Sequence, residues 1–223
     1  TMDKLAWQAE RQALADLGRA LIGSGLSVGT YGNLSCRLDD THVAITPSGK
    51  EYAALQAEDM VVINLAGEKT EGRWLPSSEL YLHLEIYKNI PEAQSVVHTH
   101  SLYATALAVA HKDLPPIVED LTQLTGGSVR CAEYESPGTE ALGKAAVAAL
   151  EDRHAALLAN HGAVCWGRTM YEALNAAVVL EKGAHIYCIA HGFGTPFRLE
   201  EKQAKKLRDF YEEHYSKRQR GEE

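Results

Sequence analysis

The sequence predicts one α/β domain over residues 1–223, in which helices cover a mostly antiparallel sheet. Three observations lead there. Short apolar runs such as HVAI, MVVIN, SVVHT and AALL end at turn residues and have the length of strands. Around them lie longer stretches with apolar residues at helical spacing. The 223 residues contain no repeat, no low-complexity tract and no Pro/Ser-rich linker, so one core is expected rather than two.

Residues 3–24 read as an amphipathic helix, with Leu5, Leu14, Leu17, Leu21 and Ile22 near helical spacing and Gly25 as its stop. GLSVGTYGNLSCRL is a Gly-rich loop running into a strand. HVAITPSG is a second strand closed by a turn, and DMVVINLAGE a third, with a Gly-containing hairpin turn. Pro76-Ser77-Ser78 opens a helix that runs to about Lys88. Val96 and Val97 are β-branched and lead a strand through His98 and His100 into a helix ending near Ala110. Gly138-Thr139 caps a helix over 140–150, and residues 155–166 form two short strands around His161-Gly162. A long helix with an alanine-rich face covers 169–189, and a charged helix or tail occupies 199–223.

Composition narrows the function classes. With 22 Lys and Arg against 30 Asp and Glu the net charge is −8, and no basic patch precedes the C-terminal tail, which argues against a nucleic-acid partner. An anionic substrate would be held by local dipoles and a metal, not by the overall field. No apolar run approaches a membrane span and no signal peptide precedes the first helix. The four cysteines, Cys36, Cys131, Cys165 and Cys188, are scattered, with no C-x-x-C pair. They read as small core residues of a reduced, cytoplasmic protein.

His98-Thr99-His100 is the most informative motif. Residues i and i+2 of a strand share a face, so both imidazoles can meet one metal ion. AALLANHG reads as a buried strand ending at a glycine, which would bring His161 in as a third ligand. Three protein ligands and an open position are the pattern of a catalytic zinc. Two ordinary histidines on a half-buried strand are the plainer alternative.

Three segments suit an anion. Gly29-Thr30-Tyr31-Gly32-Asn33 is a flexible turn whose backbone N–H groups can curl around phosphate oxygens. Thr46-Pro47-Ser48-Gly49 offers a hydroxyl and an exposable N–H. Ser77 and Ser78 sit at a helix N-terminus, where the dipole favours negative charge. Each also fits a plainer description, as a common turn or a routine N-cap.

Taken together, GTYGNLSCR, ITPSG, LPSSE, VVHTHS and LANHG occur in the order and rough spacing of the class II aldolase/adducin head family, and the chain resembles its L-fuculose-1-phosphate aldolase branch from about Leu5 to about Ile189. The resemblance implies an α/β/α fold, one Zn²⁺ per subunit, and a C4 homotetramer with active sites between subunits. It implies that His98, His100 and His161 ligate zinc, and that Glu79 does so in the free enzyme and then acts as the base. It assigns Thr30, Gly32, Asn33, Ser48, Gly49, Ser77 and Ser78 to the substrate phosphate. The implied reaction splits a ketose 1-phosphate into dihydroxyacetone phosphate and an aldehyde, L-lactaldehyde in the fuculose case. Glu rather than Asp at position 79 favours an aldolase over a pentulose-phosphate 4-epimerase. Mn²⁺, Co²⁺ or Fe²⁺ suit the same donors.

Two departures from the family stand out. Where the fuculose enzyme has a Tyr soon after the metal strand, PPIVEDLTQLTGG offers Glu119 and Asp120, either a solvated loop or a different proton relay. The family tail supplies a Tyr to a neighbouring site, and here Tyr215 or Tyr211 would serve. These differences keep 5-deoxyribulose or 5-methylthioribulose 1-phosphate in view as aldolase substrates, alongside a methylthioribulose-1-phosphate dehydratase. Of the remaining residues, His83, four positions after Glu79 on the same helix, is expected at a helix surface or interface, with a partner standing behind the metal ligands as the alternative. Trp7, Trp74 and Trp166 are expected as packing or interface anchors, and Lys202, Lys205, Lys206 and Arg208 on a solvated helix face.

Overall fold

A computed structural model of the protein describes residues 5–222. Helix α1 (Gln8–Gly23) comes first, followed by β1 (Asn33–Arg37), β2 (His42–Ile45), β3 (Val61–Asn64) and β4 (Lys69–Glu71). Next come α2 (Leu80–Asn89), β5 (Ser95–Thr99), α3 (Leu102–Val109), α4 (Glu119–Thr125) and β6 (Arg130–Ala132). The chain continues through α5 (Glu140–Leu150), β7 (Ala155–Leu158), β8 (Gly162–Gly167) and α6 (Met170–Ala190). It ends with α7 (Glu201–Phe210), a π-helical turn (Tyr211–Tyr215) and α8 (Ser216–Arg220).

The strands form one sheet in the order β4-β3-β2-β1-β5-β8-β7-β6. Every pair is antiparallel except β6 with β7, so the mostly antiparallel expectation holds. Strand periodicity divides the core in two. Val97, Leu157, Ala163 and Cys165 face one layer, which holds apolar residues of α1, α3, α4 and α6. Val96, Ala156, Leu158, Val164 and Trp166 face the other, under α2 and α5. The result is an α/β/α sandwich.

Three elements go beyond the sequence reading. β4 and β6 are three-residue strands at the two sheet edges. PPIVEDLTQLTGG, expected as a loop or relay, contains α4, whose first turn carries Glu119 and Asp120 and whose C-cap is Gly126 at φ 90°. The C-terminal segment is helical from Glu201 to Arg220. Arg208 corrects the solvated-face expectation. It reaches into the body, donating to the carbonyls of Gln123 and Leu124 at 2.9 and 3.1 Å. Cys36 and Cys165 are buried as expected, while Cys131 and Cys188 are only half-buried, and all four are free thiols. Among the described residues no helix is long and apolar enough to cross a membrane.

Candidate active site

The four residues read as metal ligands meet at one end of β5. His98 is buried in that strand, His100 lies just past its end, His161 occupies the turn between β7 and β8, and Glu79 is the N-cap of α2. His161 therefore sits in a hairpin turn, not on the strand itself. Glycines permit the close approach. A Cβ on Gly32, which has φ 75°, would lie 2.7 Å from the His98 carbonyl oxygen. One on Gly162 would lie 2.2 Å from the Thr99 carbonyl.

One atom of each residue falls within 4.8 Å of the others. His98 Nδ1 lies 2.9 Å from the Ala163 carbonyl, which can only accept, so Nδ1 carries the proton and Nε2 presents a lone pair. That Nε2 is 3.0 Å from His100 Nε2 and 3.1 Å from Glu79 Oε2. His161 Nε2 lies 3.1 Å from Glu79 Oε1, which is buried and makes no hydrogen bond. His98 Nε2 and Glu79 Oε2 are both acceptors, and a pair this close is favourable only with positive charge beside it. Three imidazole nitrogens and one carboxylate oxygen are a donor set for a divalent cation, and the residues present fit one.

The titration of these groups agrees. Burial, with His98 and His161 nearby, pushes His100 down to about 4 and keeps it neutral, as a ligand must be. Burial would raise the Glu79 carboxyl, but hydrogen bonds and charge from His161 and His98 outweigh it and hold it well below the usual carboxylate range.

All seven residues assigned to phosphate binding line one cleft of about 100 Å³: Thr30, Gly32, Asn33, Ser48, Gly49, Ser77 and Ser78. Glu79 and His100 form its inner end, and Tyr31 and Pro47 complete it. Backbone pairing brings the loops together. The Ser77 N–H donates to the Thr46 carbonyl and the Ser48 N–H to the Leu75 carbonyl, both at 3.0 Å. The Tyr52 hydroxyl donates to the Gly32 carbonyl at 2.8 Å. A larger groove, about 1130 Å³, lies between α7 and the residues after α4, but it contains none of the predicted site residues.

Glu119 and Tyr215 do not line the cleft of their own chain. Glu119 is exposed at the start of α4, and its neighbour Asp120 pairs with Lys182. Tyr215 is half-exposed, whereas Tyr211 is buried with its hydroxyl donating to Glu172 at 3.2 Å.

One residue escaped the sequence reading, and a second falls to the less favoured of its two readings. Tyr31, 66% exposed, stacks on His100 with ring centroids 5.7 Å apart, and its place inside the Gly-rich motif was the available signal. His83 overturns the surface or interface expectation. It is fully buried, four residues from Glu79, with Nε2 2.6 Å from Asn33 Oδ1 and Nδ1 2.6 Å from Ser35 Oγ. Asn33 Nδ2 in turn donates to Glu79 Oε2 at 2.9 Å.

Comparison with known proteins places this geometry. The model of the Class II Aldolase and Adducin N-terminal domain matches residues 12–188. The 5-deoxy-D-ribulose 1-phosphate aldolase of Bacillus thuringiensis serovar kurstaki is 40% identical over 92% of this chain and 96% of its own length. The 5-methylthioribulose-1-phosphate/5-deoxyribulose-1-phosphate aldolase of Rhodospirillum rubrum is 39% identical over 80% of each chain. A solved structure of an L-fuculose 1-phosphate aldolase superposes with a TM-score of 0.90 at 35% identity, covering 93% of this chain and 98% of the other. The chain belongs to the class II aldolase and adducin N-terminal domain family.

Proposed function

We propose that this class II sugar-phosphate aldolase cleaves a 5-deoxypentulose 1-phosphate, or its 5-methylthio analogue, between C3 and C4. The products are dihydroxyacetone phosphate and a short aldehyde, acetaldehyde in the 5-deoxy case. The observation that carries the reading is a small cleft, lined by all seven residues assigned to the phosphate, that shares Glu79 and His100 with the three-histidine, one-glutamate cluster. The two aldolases at 40% and 39% identity, both named for five-carbon 1-phosphates, support that substrate class. L-Fuculose 1-phosphate, with L-lactaldehyde as product, is the second reading, favoured by the 0.90 superposition.

The residues divide the work. Thr30, Gly32, Asn33, Ser48, Gly49, Ser77 and Ser78 hold the phosphate and fix the sugar chain against Glu79 and the histidines. A divalent cation, one Zn²⁺ per subunit on this donor set with other divalent metals compatible, would supply Lewis-acid polarisation of the substrate carbonyl. As the C3–C4 bond breaks, its electron pair is left on C3 and the C4 hydroxyl gives its proton to a base to become the aldehyde. Glu79, after taking up a proton from solvent, delivers one to C3, so the net change is one proton moved from the C4 oxygen to C3. In the reverse direction Glu79 removes that proton from dihydroxyacetone phosphate. Glu119 and Tyr215, outside their own cleft, act on the hydroxyl proton from a neighbouring copy in a cytoplasmic homotetramer.

A coupled assay for dihydroxyacetone phosphate over a panel of ketose 1-phosphates tests the reading. The 5-deoxypentulose 1-phosphate should give the highest kcat/KM. A preference for L-fuculose 1-phosphate selects the second reading, and absence of dihydroxyacetone phosphate from every substrate rejects both.

A further inference from the structure

A chain of buried hydrogen bonds runs from α2 through β1 to Glu79. The Tyr87 hydroxyl and Ser35 Oγ are 2.8 Å apart, Ser35 Oγ and His83 Nδ1 2.6 Å, His83 Nε2 and Asn33 Oδ1 2.6 Å, and Asn33 Nδ2 and Glu79 Oε2 2.9 Å. Tyr87, Ser35, His83 and Asn33 are exposed by 2, 0, 0 and 5%. Buried this deeply, each group depends on its neighbours in the chain for its hydrogen bonds.

Its polarity follows from one end. A carboxylate only accepts, so Asn33 must turn its amide nitrogen to Glu79 and its oxygen to His83. The oxygen then requires a proton on His83 Nε2, which leaves Nδ1 to accept from Ser35 and Ser35 to accept from Tyr87. The opposite tautomer of His83 would turn Asn33 over and set its oxygen against the carboxylate.

We infer that His83 is a positioning residue: by holding the Asn33 amide in one orientation, it aims the Glu79 carboxylate at the three histidines. The inference rests on the cation-site reading above but adds a residue outside the cleft. It also gives Asn33 two roles, since the side chain that lines the phosphate cleft also holds Glu79. Partners one bond behind a metal-site ligand typically change cation affinity or activity by about 10- to 100-fold when removed. An isolated buried histidine would instead change stability alone.

The test is a double-mutant cycle on Zn²⁺ affinity, measured on metal-stripped protein by competition with a chromophoric chelator, with kcat and KM in parallel. His83→Leu should weaken Zn²⁺ binding about 10-fold and lower kcat more than it raises KM. Asn33→Ala should weaken Zn²⁺ binding similarly and also raise KM. Because His83 acts through Asn33, the double variant should match the larger single effect rather than their product. His83→Gln, which restores a donor and an acceptor, should recover most of the loss. Ser35→Ala, with its small volume change, provides the same readout if His83→Leu does not fold, and should weaken Zn²⁺ binding in the same direction. Multiplicative single effects, or His83→Leu and Ser35→Ala with wild-type affinity, would overturn the inference. A wild-type protein that takes up no divalent cation would instead remove the underlying site.

Discussion

The molecule has two buried polar clusters rich in histidine and acid, and they are built differently. At the C-terminal cluster donors face acceptors. Arg208 donates to His154 Nε2 at 2.6 Å and to the last carbonyls of α4, and it pairs with Glu212. Glu172 accepts from the Arg168 N–H at 2.6 Å, from Tyr211 at 3.2 Å and from Ser216 at 3.3 Å. His154 stacks on Trp166 at 3.9 Å, with its Nδ1 left without a partner. This clasp fastens α7, the π-helical turn and α8 to the body using the chain's own charges. At the β5 cluster, three imidazole nitrogens and a carboxylate converge at 3.0–3.1 Å, and His98 Nε2 and Glu79 Oε2 meet as two acceptors. The first arrangement supplies its own positive charge from Arg208 and Arg168, whereas the second has no cationic side chain among its donors. Buried ionisable groups alone therefore do not mark function here, whereas convergence of like hydrogen-bonding character does.

Substitutions should separate the two. The largest effect is expected at the β5 cluster. Glu79→Gln should lower kcat by about 10²- to 10⁴-fold, the range for loss of a general base, with little change in melting temperature. Near-normal turnover would remove Glu79 from that role. Arg208→Leu should do the reverse, leaving His154 Nε2 and two carbonyls without their donor and Glu212 with Arg168 as a remaining partner. A loss of about 3 kcal/mol is expected from chemical denaturation, with Zn²⁺ affinity unchanged. A stability-neutral Arg208→Leu would show that the clasp is not the anchor described.

Acid should weaken both clusters. Burial holds His83 down at about 3, and burial together with Arg208 and Arg168 holds His154 well below 6.5. Unfolded, each ring takes its proton near 6.5, so the unfolded chain binds more protons below that pH and is favoured. Denaturation midpoints should fall as pH drops from about 6.5 toward 4, and a flat profile would mean that these rings are not held neutral. The smallest stability effect is expected at Tyr215→Phe, within about 0.5 kcal/mol of wild type because the ring is half-exposed. Cleavage should nevertheless slow if the hydroxyl serves a neighbouring copy.

Much of this was readable from residue order. Val96 and Val97 face opposite cores because strands have a period of two, and His98-Thr99-His100 inherits that alternation, which puts two imidazoles on one side. Loops at 30–33, 46–49 and 77–79 converge because their motifs end strands or begin a helix at the same edge. What escaped depended on contacts between distant segments. The burial of His83 is set by β1 passing against α2, and spacing from Glu79 alone does not reveal it. Arg208 looks solvated in a run of Lys and Glu, yet α4 ends within its reach. β6 is three residues long and pairs in parallel with β7, so no local turn announces it. α4, in contrast, carried its own signals in Glu119-Asp120 and Gly126-Gly127.

The most direct test is divalent-cation stoichiometry by elemental analysis of wild-type and His161→Ala protein after Zn²⁺ loading and desalting. One equivalent per chain in the wild type, falling well below that in the variant, is the expected result. A wild type with no retained metal, or a His161→Ala variant that retains a full equivalent, would contradict the assignment of the β5 cluster as a cation site.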